Sequence, residues 1–461
     1  MASEIILESM GAAQTVTGSK HLLKTPELIV LVDCGLFQGL KKLRDKNWNP
    51  LPYDVAKIDA LVLTHAHLDH CGYIPLLVKE GFKGKIYATA PTLDLTTIIL
   101  YDSAKIQEED AFNANKNKYT KHTPALPLYT SDDVKKALTF FEVVEHNAET
   151  QLSKNISFRF TRNGHILGSC SVQMRCYDKK IVFSGDIGRY TNNYLKIPLP
   201  LDTADFVIME STYGDRLHDT ADPVDQLEKV ILDAISSHGS VLIPSFAVGR
   251  AQEIMHMIGT LKHDKRIPDW IPVFLDSPMA ASATEIFIRY PEWHNLTKEE
   301  CERMCKDVKI NTDAHNTEDI AKKPGPKIII SASGMLTGGR VLEYMEYMAQ
   351  DKKNYILLIG YQGEGTRGRA LENHVPEVKI HGRYYSVNAN IVEITGLSGH
   401  ADQGELLRWL KPFEQGPKAK VYLVHGEPMA QSAFRVKVKS EMEIDVTINV
   451  EDQDNLLFTI D

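Results

Sequence analysis

From Glu4 to about Thr212, apolar residues gather in short runs, each closed by a turn or an acid. Such runs are Leu28-Ile29-Val30-Leu31-Val32-Asp33, Asp59-Ala60-Leu61-Val62-Leu63, Lys85-Ile86-Tyr87-Ala88, Ile156-Ser157-Phe158-Arg159-Phe160, Ile181-Val182-Phe183-Ser184 and Phe206-Val207-Ile208-Met209-Glu210. Their length and β-branched and aromatic content predict packed sheets joined by loops, with few helices. After Tyr213 the rhythm lengthens. A helical run from Pro223 to Ser237 leads into Ser240-Val241-Leu242-Ile243-Pro244, a helix from Gly249 leads into Val273-Phe274-Leu275, and another starts at Ala280. Lys327-Ile328-Ile329-Ile330 and Tyr355-Ile356-Leu357-Leu358-Ile359 are continuously apolar, as strands buried on both faces of a parallel sheet must be.

Beyond about Tyr385 the short strands return in Ile391-Val392-Glu393-Ile394 and Val421-Tyr422-Leu423-Val424. The simplest organisation is an α/β protein in which a doubly wound parallel-sheet domain, residues 211–385, is inserted into a first domain made of residues 1–210 and 386–461.

Composition narrows the picture. At 43% hydrophobic and 25% charged, the 461 residues have ample apolar material for a core. Residues 1–8 read as a strand rather than a leader, and no apolar run approaches membrane-spanning length, so a cytoplasmic protein without a membrane partner is expected. Six cysteines, with Cys34 and Cys71 beside candidate site residues, fit reduced thiols better than a disulfide framework. A net charge of -9 argues against broad coating by nucleic acid but allows a local phosphate site. Lys41-Lys42-Leu43-Arg44 reads as solvated surface.

The chemistry concentrates after the strand ending at Leu63. In Thr64-His65-Ala66-His67-Leu68-Asp69-His70, residues two apart in extended chain point the same way, so His65 and His67 can grip one cation. Asp69 and His70 fall where the chain turns and can face a second. Three imidazoles and a carboxylate suit zinc or another borderline divalent metal. His165 in Asn-Gly-His-Ile-Leu-Gly-Ser and Asp186 in Ser-Gly-Asp-Ile-Gly supply what the cluster lacks. Assigning His65, His67, His165 and Asp186 to one ion, and Asp69, His70, Asp186 and His425 to the other, gives a two-metal centre with Asp186 bridging and room for a shared water. Asp33 and Glu210, each closing a strand, are cast as outer groups that orient histidine ligands, the alternative being strand-end caps.

These residues carry a family resemblance. Asp33, the His65 to His70 cluster, His165 and Asp186 resemble the metal motifs of the metallo-β-lactamase fold. Glu210 in Glu-Ser-Thr-Tyr-Gly, His400 in Ser-Gly-His-Ala-Asp and His425 in Val-His-Gly-Glu resemble the three further motifs of its β-CASP branch, which includes the nuclease subunit of the cleavage and polyadenylation specificity factor and compact prokaryotic relatives. The resemblance implies a four-layer αββα metallo-β-lactamase domain with an inserted β-CASP domain, a site in the cleft between them, and two Zn²⁺ per chain. A histidine at the position of His425 is typical of members acting on RNA, whereas DNA-repair members carry valine, so RNA is the expected partner. A homodimer, a larger RNA-processing complex, and the choice of endonuclease or exonuclease stay open.

The expected reaction is phosphodiester hydrolysis by a bridging hydroxide, with His400 protonating the departing ribose oxygen and Asp69 and Glu210 completing the catalytic set. In the insert, strands end in Ser245-Phe246, Asp276-Ser277-Pro278, Ser331-Ala332-Ser333-Gly334-Met335 and Gly360-Tyr361-Gln362. Ligands bind outside the carboxyl ends of such strands, which nominates Ser245, Phe246, Arg250, Ser277, Ser333, Gly334, Met335, Gly338, Arg340 and Arg367 as RNA-binding residues. Ordinary capping and turn chemistry is the competing explanation for each. A DNA nuclease, another hydrolase on the same metal core, and a non-catalytic RNA-binding subunit are the rival functions.

Overall fold

The computed structural model describes residues 3–118, 122–191, 193–415 and 418–460. It divides into two compact units, residues 1–217 with 400–461, and residues 218–399.

The first unit holds two seven-stranded sheets. One runs in the order Asp454–Ile460, Ser3–Gly11, Lys20–Lys24, Ile29–Val32, Ala60–Val62, Lys85–Ala88, Phe141–Val143. It is antiparallel as far as Ile29–Val32 and parallel beyond. The other runs Asp445–Ile448, Lys420–Leu423, Phe206–Met209, Lys179–Phe183, Cys170–Cys176, Ile156–Arg162, Thr150–Gln151, parallel among its first four strands.

The sheets face one another. Tyr87 meets Phe158 edge to face with centroids 5.5 Å apart, and Phe206 stacks on Phe458 at 5.8 Å. Alternation then sends Val182, Val207, Met209, Val421 and Leu423 to the opposite face of the second sheet. There they pack with Leu406, Trp409 and Leu410 of the helix Gln403–Leu410 and with Phe434 and Val438 of the helix Pro428–Glu441. Each such fully buried side chain contributes about 1.5–3 kcal/mol. The helices Ile74–Lys79, Ala90–Asn117 and Ser131–Leu138 pack together on the other flank, giving the αββα layering. The polar helix Ala90–Asn117 was not expected. Its buried residues, such as Leu95, Ile99 and Leu100, lie mostly in its first half, so no sustained apolar stripe announces it.

The second unit contains one six-stranded, wholly parallel sheet in the order Val308–Asn311, Val273–Asp276, Ile328–Ser331, Val241–Pro244, Tyr355–Leu358, Asn390–Glu393. Leu242, Phe274, Ile329 and Ile356 pack against Val341, Leu342, Met345 and Met348 from the helix Val341–Met348. Pro223–Ser236 and Pro278–Arg289 lie against the same strands in the chain order of a doubly wound unit. One expectation is corrected. Asn390–Glu393 pairs in parallel with Tyr355–Leu358 and belongs to this sheet, not to the returning domain that was to begin at residue 386. A run of four residues specifies a strand but carries no mark of which sheet it joins.

Candidate metal centre

The site grows from the carboxyl ends of parallel strands in the first unit. Ile29–Val32 delivers Asp33, Ala60–Val62 delivers His65 and His67, Lys179–Phe183 delivers Asp186, Phe206–Met209 delivers Glu210, and Lys420–Leu423 delivers His425. Ladder bonding ends at these positions, so the backbone is free to turn and the side chains to converge. Close approach requires glycine at two of the turns. A Cβ on Gly35 would collide with the Asp69 carbonyl, and one on Gly188 with the Gly164 carbonyl beside His165.

Two donor clusters gather the His65 to His70 loop with His165, Asp186 and His425, and a third group joins Asp186, Glu210 and His400. His67 Nδ1 lies 3.2 Å from His65 Nε2 and 3.0 Å from His165 Nε2. Asp186 Oδ2 is 3.4 Å from both His65 Nε2 and His165 Nε2. The other oxygen of the same carboxylate faces the second cluster, with Asp186 Oδ1 3.3 Å from His70 Nε2 and 3.6 Å from His425 Nδ1. His425 Nε2 in turn lies 3.4 Å from Asp69 Oδ2. Donor atoms within each group lie within 4.8 Å of one another.

These groups fit divalent cations. Burial, with the neighbouring imidazole of His65, pushes His67 down to about 3. Burial likewise depresses His65 and His165, so all three favour the neutral form that offers a lone pair. Asp186 Oδ1 is buried with no hydrogen-bond partner among the described residues. Burial alone would raise Asp186, but His425, His70 and His65 hold it well below the usual carboxylate range. Asp69 is lowered too, as its hydrogen bond from His425 and the charge of His70 overcome burial. Neutral imidazole nitrogens and ionised carboxylates gathered around a point are the donor set of a cation site.

Outer contacts fix these donor groups. Asp33 Oδ2 accepts from His70 Nδ1 at 2.7 Å and from Thr64 Oγ1 at 2.8 Å, while its Oδ1 accepts from the Thr64 amide at 2.8 Å. This turns His70 Nε2 toward Asp186. Asp186 and Asp33 hold His70 well above its ordinary value against the opposing effect of burial. Glu210 accepts from the Ile187 amide at 2.5 Å and lies 3.2 Å from His400 Nδ1 through either oxygen. Burial lowers His400, but Glu210 and Asp186 together raise it to about 8. Two residues here escaped the sequence reading. Thr64 Oγ1 also lies 3.0 Å from His65 Nδ1, and Thr212 Oγ1 lies 3.1 Å from His425 Nδ1. Their adjacency to His65 and to the Glu-Ser-Thr motif was the only available signal.

In the second unit, pairing puts Asp276 and Pro244 both beside Ser331, so Ser245, Ser277 and Ser333 follow three adjacent strand ends. Ser277 caps the helix Pro278–Arg289 by accepting from Ala280 N at 3.2 Å. Ser245 bonds the Phe246 carbonyl and Ser333 accepts from the Thr337 amide. A Cβ on Gly334 would press on the Phe246 ring. Gly363 N meets the Met335 sulfur, and Gly338 is half-buried in the same turn. Buried Arg250 bonds Glu253 and the Leu397 carbonyl. Arg340 bonds Asp276 and the Thr312 carbonyl, and Arg367 bonds the Lys379 and Leu336 carbonyls. All three guanidinium groups therefore have structural partners within their own unit.

A four-layer αββα unit with histidines and acids at its strand ends defines a metallo-hydrolase of the metallo-β-lactamase superfamily. Family models agree: the Metallo-beta-lactamase superfamily domain matches residues 22–202, the Beta-Casp domain residues 251–371, and the Zn-dependent metallo-hydrolase RNA specificity domain residues 384–449. The chain is 36% identical to Ribonuclease TTHA0252 of Thermus thermophilus over 90% of its own length and 92% of that protein. It is 32% identical to an RNase J-like protein of Methanocaldococcus jannaschii over 97% of its length and 98% of the relative. It is 31% identical to Transcription termination factor FttA of the same organism over 91% of its length and 66% of that protein. The chain belongs to the β-CASP ribonuclease family of the metallo-β-lactamase fold. Among the described residues no helix is long and apolar enough to cross a membrane.

Proposed function

We propose that this protein hydrolyses RNA phosphodiester bonds at two divalent cations, zinc being favoured by the imidazole-rich donor set. The observation that carries this reading is the Asp186 carboxylate, whose two oxygens face two separate clusters of imidazole and carboxylate donors. His65, His67, His165 and Asp186 would hold one ion, and Asp69, His70, His425 and Asp186 the other. When bound, such a pair acidifies a shared water at neutral pH and, exceeding its two ligand carboxylates in charge, favours an anionic phosphate over a neutral substrate.

The chain's own residues do the rest. Asp33 and Thr64 keep His70 and His65 in the ligating orientation. Glu210 holds His400 through Nδ1, and Nε2 is assigned to carry a proton toward the substrate. As the bond from phosphorus to the departing ribose oxygen breaks, His400 gives that oxygen its proton, and the Asp186 and Glu210 carboxylates favour its recharging from water. The serine-rich strand ends of the second unit, including Ser333, Gly334 and Phe246, are proposed to hold the RNA through backbone amides and stacking.

The decisive experiment incubates the metal-loaded protein with end-labelled RNA and with DNA of the same sequence. RNA should be cut, chelator should abolish cutting, and the product ladder should separate internal cleavage from trimming. Intact RNA under all metal conditions would overturn the reading, and equal cutting of DNA would overturn the RNA preference.

A further inference from the structure

The loop that follows Asp33 is built as an arm. Its root is fastened to the metal centre: the Cys34 amide donates to the His70 carbonyl at 2.7 Å, and the Leu36 amide donates to the Leu68 carbonyl at 3.0 Å. Buried Lys20 grips the Gly35 carbonyl at 2.6 Å and lies over the rings of Phe37 and Tyr73. The far end is clasped by buried Asn47, which accepts from the Phe37 amide at 2.9 Å and donates to the Phe37 carbonyl at 2.8 Å. The chain between leaves this clasp and returns to it.

The arm displays cations and an exposed indole together. Lys41, Lys42 and Arg44 are exposed, and none forms an ion pair among the described residues, although Lys46 beside them pairs with Glu451. Trp48 is 60% exposed immediately after the clasp. Three cations outside any ion pair among the described residues, Arg44 also bonding the Gly39 carbonyl at 3.0 Å, make a local attraction for a polyanion on a chain of net charge -9. An exposed indole offers a stacking face to any base, without regard to sequence.

We propose that this arm is a binding rail for single-stranded RNA flanking the scissile phosphate, with Lys41, Lys42 and Arg44 on the backbone and Trp48 stacked on a base. The inference rests on the ribonuclease reading and deepens it, since it places part of substrate recognition in the same unit as the metal ligands. Recognition of this type is tolerant of sequence, because both contributions come from features that every nucleotide carries.

The test measures anisotropy of a short fluorescein-labelled oligouridylate with the full, metal-loaded chain carrying His400→Ala to suppress turnover. Trp48→Ala should weaken binding about tenfold and Trp48→Phe far less, in line with the cost of losing one stacked base. Combined Lys41→Ala, Lys42→Ala and Arg44→Ala should lower the slope of log affinity against log salt by about 2, at roughly 0.7 per phosphate contact on a single strand. Trp270→Ala, which removes another exposed indole, should change neither. Unchanged affinity and salt slope, in a protein that does cut RNA, would overturn the arm and leave the ribonuclease reading intact. A wild-type protein that neither binds nor cuts RNA would overturn both. Trp48-dependent binding to phosphatidylserine vesicles with no effect on RNA would assign the arm to a lipid surface instead.

Discussion

Asp33 shows how much of the centre depends on single atoms outside it. One of its oxygens receives both His70 Nδ1 and Thr64 Oγ1, so Asp33→Ala frees the His70 ring, a proposed ligand, and a strand-end hydroxyl at once. Metal affinity should fall about 10–100-fold, as measured by competition with a chromophoric chelator, while an unchanged affinity would remove Asp33 from this role. His400→Ala should behave differently, keeping both metals by elemental analysis and still binding RNA, but slowing single-turnover cleavage by about 10²–10⁴. Near-normal turnover would exclude His400 as the acid. Lys20 supplies the pH dependence. Burial, partly offset by Cys34 and Glu451, lowers it from 10.5 to about 8. In the window from 8 to 10.5 the unfolded chain binds more protons than the folded one, so this residue's contribution to stability rises with pH there and is least favourable below 8. Unfolding free energies of wild type relative to Lys20→Met, from urea titration, should therefore climb across that window, by on the order of 3 kcal/mol. At this scale the sequence was informative where donors were dense, from His65 to His70. It was silent on Thr64 and Thr212, because a hydroxyl near a strand end is ordinary turn chemistry until its partner is seen.

The strand-end turns are the working elements, and their tolerances are tight. Gly35→Ala places a methyl group against the Asp69 carbonyl, where backbone rather than a flexible side chain must yield. Overpacking of this kind costs about 1–3 kcal/mol, and here the displaced backbone carries Asp69, a proposed metal ligand. A lowered denaturation midpoint together with weakened metal retention is expected; a fall in stability with metal binding intact would show that the turn relaxes without moving Asp69. The strands themselves were legible because alternation or continuous apolarity leaves few other placements for them. Two elements were not. The helix Ala90–Asn117 owes its place to packing against Ser131–Leu138 and the short helix Leu68–Cys71 more than to its own pattern. The strand Asn390–Glu393 was recognisable as a strand, but its partner Tyr355–Leu358 is chosen by tertiary context that periodicity does not encode.

Across the whole molecule, the donors come from distant parts of the chain and all fall in one compact unit. Metal should consequently slow hydrogen exchange most in residues 1–217 and 400–461, with smaller changes across the parallel sheet of residues 218–399. Uniform protection across both units, or none, would contradict a resident centre of this composition. The α/β class and the presence of an insert were readable because a change of rhythm is a global property of the text. The exact seam was not, since the last strand of the insert resembles those that follow it. The pairing of Phe206–Met209 with Lys420–Leu423 carries a further consequence for the life of the protein. Until translation has passed that second strand, a ribosome-bound chain possesses neither a seated His425 nor a completed sheet to seat it. On the proposed function, an unfinished copy therefore lacks one of the groups assigned to hold metal, and RNA cleavage is expected only from the completed chain.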